Sequence, residues 1–292
     1  MWLYGRNPQK LEKARQDLTQ MDRWMAAEFP GETPRYGELA YTSELSPIDR
    51  EADLVVEGIA EDMTVKVSLW KALAGAVSRG AIFCSSTSGL SISEMGKLSG
   101  FPAQVIGTHF WNPPHLMPLV EVVAGAGTAE ETIQTTIRFC QDIGKQPVRV
   151  NIDAPGFIGN RMLHALWREA ITIVERGIAS AEDVDTVAKM TFGLRLPVVG
   201  PLENMDLVGL DLIHTIHRYL LADLSANRGP GRLLDALVQK GQLGMKSGSG
   251  FYDWGKRAPA ALVEARDRQI ARELKRLWQE KQDAAWKQEK KG

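Results

Sequence analysis

The segment GTHFWNPPHLMPLVEVV, residues 107–123, sets Glu121 inside an apolar run that reads as a buried strand. An ionised carboxylate is rarely buried alone, because losing its water costs several kcal/mol unless a charge or hydrogen bonds compensate. The local side chains able to do so are His109 and His115. In PLVEVV, Leu119, Glu121 and Val123 share one face of the strand, while Val120 and Val122 share the other. His109 ends the preceding strand, just before the turn FWNPP, and sequential strands usually lie side by side. A strand-end histidine and a mid-strand glutamate can then meet, the carboxylate orienting the imidazole while the imidazole removes a proton. The same residue types also fit a purely structural role, a glutamate held by backbone amides beside an ordinary polar histidine.

Two further segments bear on that choice. SSTSG, residues 85–89, places hydroxyls at the carboxyl end of a predicted parallel strand, the end at which doubly wound sheets bind ligands. Such hydroxyls can bond a substrate oxygen or a carboxamide, although Ser/Thr-rich loops are commoner than Ser/Thr sites. DAPGFIGNR, residues 153–161, enters the first helix of the second half and places Asn160 near an interdomain cleft.

The elements that must position these groups alternate through the first half. Strand-like runs (MWLY, GELAYTS, ADLVVEGIAE, GAIFCSS, QVIGTHF, MPLVEVV, PVRVNI) are interleaved with helical patterns at 9–29, KVSLWKALAGAV, ISEMGKL and AEETIQTTIRFCQDIGK. Continuous Val/Ile runs between helices predict a doubly wound parallel sheet covered on both faces. From Phe157 onward the patterns are helical, including FIGNRMLHALWREAITIVERG, SAEDVDTVAKMTF, LVGLDLIHTIHRYLLADL and GRLLDALVQKGQL. The chain therefore divides into an α/β domain over 1–152 and an all-α domain over 153–292. SAED carries an N-cap signature. The charged tail after Trp254 reads as a solvated helix with a thin stripe of Ile270, Leu274 and Trp278.

Bulk properties exclude several function classes. Lys and Arg total 35 against 36 for Asp and Glu, so no global field favours nucleic acid or an anionic membrane. Cys84 and Cys140 sit in apolar contexts with no metal-ligand spacing, and read as reduced core residues. No stretch approaches the roughly 20 apolar residues of a membrane span, and the start lacks a signal peptide, so the cytoplasm is the expected compartment.

Seven motifs in order, VVEGIAED, SSTSGLSI, HFWNPPHLMPLVEVV, DAPGFIGNR, ERG, GPLENMDLVGLD and KSGSGFYDW, resemble those of the short-chain L-3-hydroxyacyl-CoA dehydrogenase family. The family also contains relatives that oxidise small 3-hydroxy acids without coenzyme A. The resemblance implies that His109 is the general base taking the 3-hydroxyl proton as hydride leaves for the nicotinamide, with Glu121 supporting the imidazole. It implies that Ser88 bonds the substrate oxygen, with Asn112 and Asn160 completing the polar lining. Glu61, Lys66 and Ser86 are assigned to the cofactor side, and His115 to the wall. A homodimer through the helical domain is implied, with a small-molecule substrate and no metal. Arg195 and Arg218 are candidates for a substrate carboxylate.

The amino end departs from the family. The strand, Gly-x-Gly-x-x-Gly turn and helix that hold the cofactor diphosphate are not in this sequence, and MWLYGRNP matches the second strand of that unit. On that alignment the Rossmann-like domain is N-terminally truncated, starting inside the nucleotide fold. A non-catalytic remnant is the competing reading that this departure leaves open. Gly5 stands where an acidic residue usually ends the strand, and Arg6 follows it. The expected cofactor is NAD, with Arg6 a hint of NADP, because a nearby arginine can accommodate the 2′-phosphate. NPPH and ADLSANR look closer to relatives acting on small 3-hydroxy acids, carnitine-like compounds or pyridines.

Overall fold

In the computed structural model, the described residues are all but 31–36, 46–51, 76, 79 and 290–292. The chain forms two compact units, 1–158 and 159–292.

The first unit runs β1 (Trp2–Tyr4), α1 (Pro8–Glu28), β2 (Ala40–Thr42), β3 (Leu54–Glu57), α2 (Met63–Leu73), β4 (Ile82–Ser85), α3 (Ile92–Ser99), β5 (Val105–Phe110), β6 (Leu119–Ala124), α4 (Glu130–Asp142) and β7 (Gln146–Val150). Strands β3 to β7 form one five-stranded sheet in chain order, and β1 pairs with β2 in a separate two-stranded sheet. All neighbours are parallel except β5 and β6, which run antiparallel. That exception follows from the sequence, because the short turn 111–118 cannot hold the crossover that a parallel pair requires. The sheet expected to be parallel is therefore mostly parallel, with one antiparallel pair.

Side-chain alternation divides the core into two layers. Phe83, Val105 and Val123 point to one face and pack with Trp70, Ile92 and Met95 from α2 and α3. Ile82, Cys84, Ile106, Val120 and Val122 point to the other and pack with Ile133 and Cys140 of α4. Burying such a side chain stabilises the fold by roughly 1.5–3 kcal/mol each, which sets the register wherever both faces are covered. Asp62 caps α2 by accepting from the Val65 N–H at 2.9 Å, and Ser91 caps α3 at the Glu94 N–H. The helix expected over 66–77 runs into residue 76, outside the described residues.

The second unit is helical: α5 (Gly159–Glu175), α6 (Ala181–Met190), α7 (Phe192–Arg195), α8 (Pro201–Val208), α9 (Leu210–Leu220), α10 (Arg232–Gln239) and α11 (Pro259–Glu289). The single helix suggested by LVGLDLIHTIHRYLLADL is broken at Gly209, whose φ of 104° is a conformation L side chains rarely adopt. In the tail, Ala271 and Leu274 are buried, so its stripe is a packing face rather than a solvated one. The last three residues of that tail lie outside the described residues. The boundary falls six residues later than the expected one. Phe157 is the reason, being 2% exposed and part of the first unit's core.

Candidate active site

His109 and Glu121 are direct cross-strand partners in the antiparallel β5–β6 pair. Their side chains share the face that also carries Val105 and Val123. Nδ1 of His109 lies 2.7 Å from Oε2 of Glu121, and the two side chains are 6% and 1% exposed. Beside an ionised carboxylate, which only accepts, a neutral ring carries its hydrogen on Nδ1 and its lone pair on Nε2. The carboxylate is held in turn by the Trp111 Nε1–H at 3.3 Å and the Ile158 backbone N–H at 2.9 Å. Three donors around one carboxylate fix its orientation.

The imidazole is also fixed by its neighbours. Trp111 and Phe157 flank it, with ring centroids 5.3 and 5.6 Å away. Phe157 adopts a φ of 50°, left-handed backbone that is uncommon for a bulky residue and costs of order 1–3 kcal/mol. The N–H that follows this turn is the one that bonds Glu121. A buried ring, a carboxylate with three donors and a strained turn together fix the orientation of the His109 imidazole, with Nδ1 turned to Glu121.

A second polar cluster lies on the same sheet face at the ends of β3 and β4. Glu57 ends β3 and stands opposite Ser85 in register. Its Oε1 is 2.6 Å from Lys66 Nζ, and both side chains are essentially inaccessible, at 0% and 1%. Ser85 Oγ donates to Oε2 at 2.9 Å, and the Ile59 N–H donates to Oε1 at 2.8 Å. Lys66 also meets Glu61 at 3.4 Å. Glu61 accepts from Thr87 Oγ1 at 2.5 Å and from the Ser88 N–H at 3.0 Å. Burial works to raise the Glu61 carboxyl. The Thr87 hydroxyl, the Ser88 N–H and the Lys66 ammonium outweigh it and leave the group below its ordinary value.

The SSTSG segment is thus pinned between two glutamates. Ser86 is half-buried, with its N–H on the Glu57 carbonyl, and Ser88 is exposed. Lys66, expected along the cofactor groove, is instead enclosed, because its ammonium is taken up by Glu57, Glu61 and the Ile59 carbonyl. Asn112 is exposed in the turn after β5, and Asn160 is half-buried at the start of α5 in the second unit. His115 packs edge-on against Trp24, 6.0 Å between centroids, as a wall residue would. Arg6 is exposed after β1, on the two-stranded sheet rather than the five-stranded sheet that carries the dyad. Arg195 and Arg218 are exposed in the second unit.

Sequence reasoning missed Glu57, Trp111 and the Phe157–Ile158 turn. Glu57 had a signal: it closes the apolar run LVVE, the same anomaly that drew attention to Glu121. Nothing in the spacing marks Trp111 or the Ile158 N–H, because both reach Glu121 only through the turns that follow β5 and β7.

Among the described residues, no group of three or more His, Cys, Asp or Glu is placed to hold a metal ion. Cys84 and Cys140 are free and buried, their thiols pushed up by desolvation to about 12 and about 11. Among the described residues, no helix is long and apolar enough to cross a membrane.

Comparison with known proteins supplies relatives for this arrangement. The family description "3-hydroxyacyl-CoA dehydrogenase, NAD binding domain" matches residues 1–153, and "3-hydroxyacyl-CoA dehydrogenase, C-terminal domain" matches residues 156–254. The 5-formyl-3-hydroxy-2-methylpyridine 4-carboxylate 5-dehydrogenase of Mesorhizobium japonicum is 34% identical over 234 residues, covering 80% of this chain and 76% of that protein. A probable 3-hydroxybutyryl-CoA dehydrogenase of Deinococcus radiodurans is 40% identical over 219 residues, 75% of this chain and 77% of the relative. The crystal structure of a 5-dehydrogenase of the same pyridine acid, described as an NAD+ dependent dismutase, superposes with a TM-score of 0.87 at 32% identity, covering 94% of this chain and 89% of that one.

Proposed function

The chain belongs to the 3-hydroxyacyl-CoA dehydrogenase family and is an NAD-dependent oxidoreductase acting on CH–OH, and from that premise we propose that it oxidises the 3-hydroxyl of a 3-hydroxyacyl-CoA with His109 as general base. The observation that carries this reading is the 2.7 Å bond between His109 Nδ1 and Glu121, which leaves Nε2 as the proton acceptor. When bound, the nicotinamide supplies the acceptor for the hydride that leaves C3. His109 Nε2 takes the hydroxyl proton, so the alcohol carbon becomes a carbonyl and the imidazole becomes a cation. Glu121 keeps the Nδ1–H and offsets that charge, with no proton moving to the carboxylate. The reverse reaction returns the proton from Nε2 to the oxygen.

The residues present fit the nicotinamide side of such a cofactor: hydroxyls, amides and the ionised Glu61 line the carboxyl ends of β3 and β4. We assign Glu61 and Ser86 to that side, and Lys66 acts there through Glu61. Ser88, Asn112 and Asn160 are assigned to the substrate. The diphosphate-binding amides of a glycine turn are not among these 292 residues.

A second substrate reading has its own support. The superposition at a TM-score of 0.87 is with an enzyme of a pyridine carboxylic acid, which carries no coenzyme A. A panel of NAD-linked assays separates the two readings, with 3-hydroxybutyryl-CoA against free 3-hydroxybutyrate and 5-formyl-3-hydroxy-2-methylpyridine 4-carboxylate. We expect the thioester to have the highest kcat/KM, and His109→Gln to lower kcat by roughly 10²–10⁴ while leaving NADH binding in place. A higher kcat/KM on a substrate without coenzyme A overturns the thioester, and turnover within threefold of the parent overturns the base.

We assign a homodimer to the second unit, whose exposed large apolar residues include Leu194, Val198, Leu202, Leu207 and Leu210. Light scattering should then give twice the 32.3 kDa of one chain, and the single-chain mass would refute the assignment. Two buried free thiols suit the reducing cytoplasm.

A further inference from the structure

The end of β1 and the first turns of α1 enclose a groove of about 230 Å³, lined by Leu3, Tyr4, Gly5, Arg6, Lys10 and Leu11 among others. The lining holds two cationic side chains and no acidic one. Arg6 and Lys10 are both exposed, and neither makes an ion pair among the described residues. Two other cations on the same helix are paired: Lys13 bonds Asp17 at 3.0 Å and Arg15 bonds Glu12 at 3.0 Å. The groove therefore keeps two positive charges unneutralised.

Position 5 explains why no carboxylate shares the groove. A Cβ on Gly5 would lie 3.0 Å from Leu11 Cδ2 and 3.2 Å from Leu11 Cγ, so an aspartate there would require Leu11 to give way. In a dinucleotide-binding sheet, an acid at this kind of position bonds the adenosine ribose 2′-hydroxyl and repels a 2′-phosphate, whereas an arginine accommodates that phosphate. Guanidinium forks match phosphate oxygens in pairs, and a nearby ammonium adds a point charge. The α1 amides contribute less, since Asn7 Oδ1 already accepts from the Gln9 and Lys10 N–H groups.

We infer that the Arg6–Lys10 groove is a phosphate-monoester site, through which the protein accepts the 2′-phosphorylated dinucleotide as well as NAD. This rests on the nucleotide-domain reading above, but it concerns only the adenosine end of the cofactor.

Calorimetric titration of the full chain with adenosine and adenosine 2′-monophosphate tests it, because only the second carries a phosphate monoester. The 2′-monophosphate should bind at least about tenfold tighter, a contribution in the range of hydrogen bonds to charged groups. In the double variant Arg6→Ala, Lys10→Ala that advantage should shrink to below about threefold, with adenosine affinity retained. Equal affinities in the parent chain overturn the inference, as does an advantage that survives in the double variant. Binding of neither ligand also overturns it. A parallel NADH titration then separates this failure from failure of the cofactor reading, which falls only if NADH is refused too.

Discussion

Two hydrogen-bonded pairs with a buried glutamate lie on the same face of the five-stranded sheet, and they are built to opposite ends. At the ends of β3 and β4, the Lys66 ammonium faces Glu57, Glu61 and a backbone carbonyl, so its donors are committed to the protein. Between β5 and β6, His109 commits one nitrogen to Glu121 and leaves the other. An ammonium only donates and a carboxylate only accepts, whereas a neutral imidazole offers one donor and one acceptor nitrogen. The difference teaches that burial and pairing do not by themselves mark a reacting group. What separates the two pairs is the ring nitrogen of His109 that Glu121 does not take up.

The largest test of this contrast is on stability. Glu57→Ala removes the partner of an ammonium that is only 1% exposed, and should destabilise the protein by about 3–5 kcal/mol in urea titrations. Glu57→Gln keeps polar atoms for Ser85 and the Ile59 N–H, and should cost less, roughly 1.5–3 kcal/mol. His109→Gln should cost least, about 1 kcal/mol, because Glu121 retains the Trp111 and Ile158 donors. A reversed order, with His109→Gln the most destabilising of the three, would make the dyad the structural pair.

The same contrast explains what was legible in the sequence. Glu121 could be found because a carboxylate interrupting VEVV is expensive, and His109 because a short proline turn forces the two strands together. The two core layers were legible because the strands read as short Val/Ile-rich runs set between helical patterns. The antiparallel step and the enclosure of Lys66 were not drawn out. The first needed the length of turn 111–118 weighed against a parallel crossover. The second depends on Glu57 and Lys66, nine residues apart, closing on each other across a strand-to-helix turn. Trp111 and the Ile158 N–H were beyond reach, since no periodicity records where a turn aims an indole or an amide. The division between units moved for the same reason: Phe157 sits in the turn PGFIG, and only packing shows that it belongs to the first core.

The claim at the centre is that Glu121 holds the Nδ1 hydrogen of His109 and thereby leaves Nε2 as the proton acceptor. Nitrogen-15 NMR of the histidine rings, on the parent chain and on Glu121→Gln, reads this without substrate or cofactor. At a pH where the ring is neutral, the account predicts a protonated Nδ1 and a bare Nε2 for His109, with that preference weakened in Glu121→Gln. A His109 ring protonated at Nε2, or one whose tautomer ignores the substitution, would contradict it.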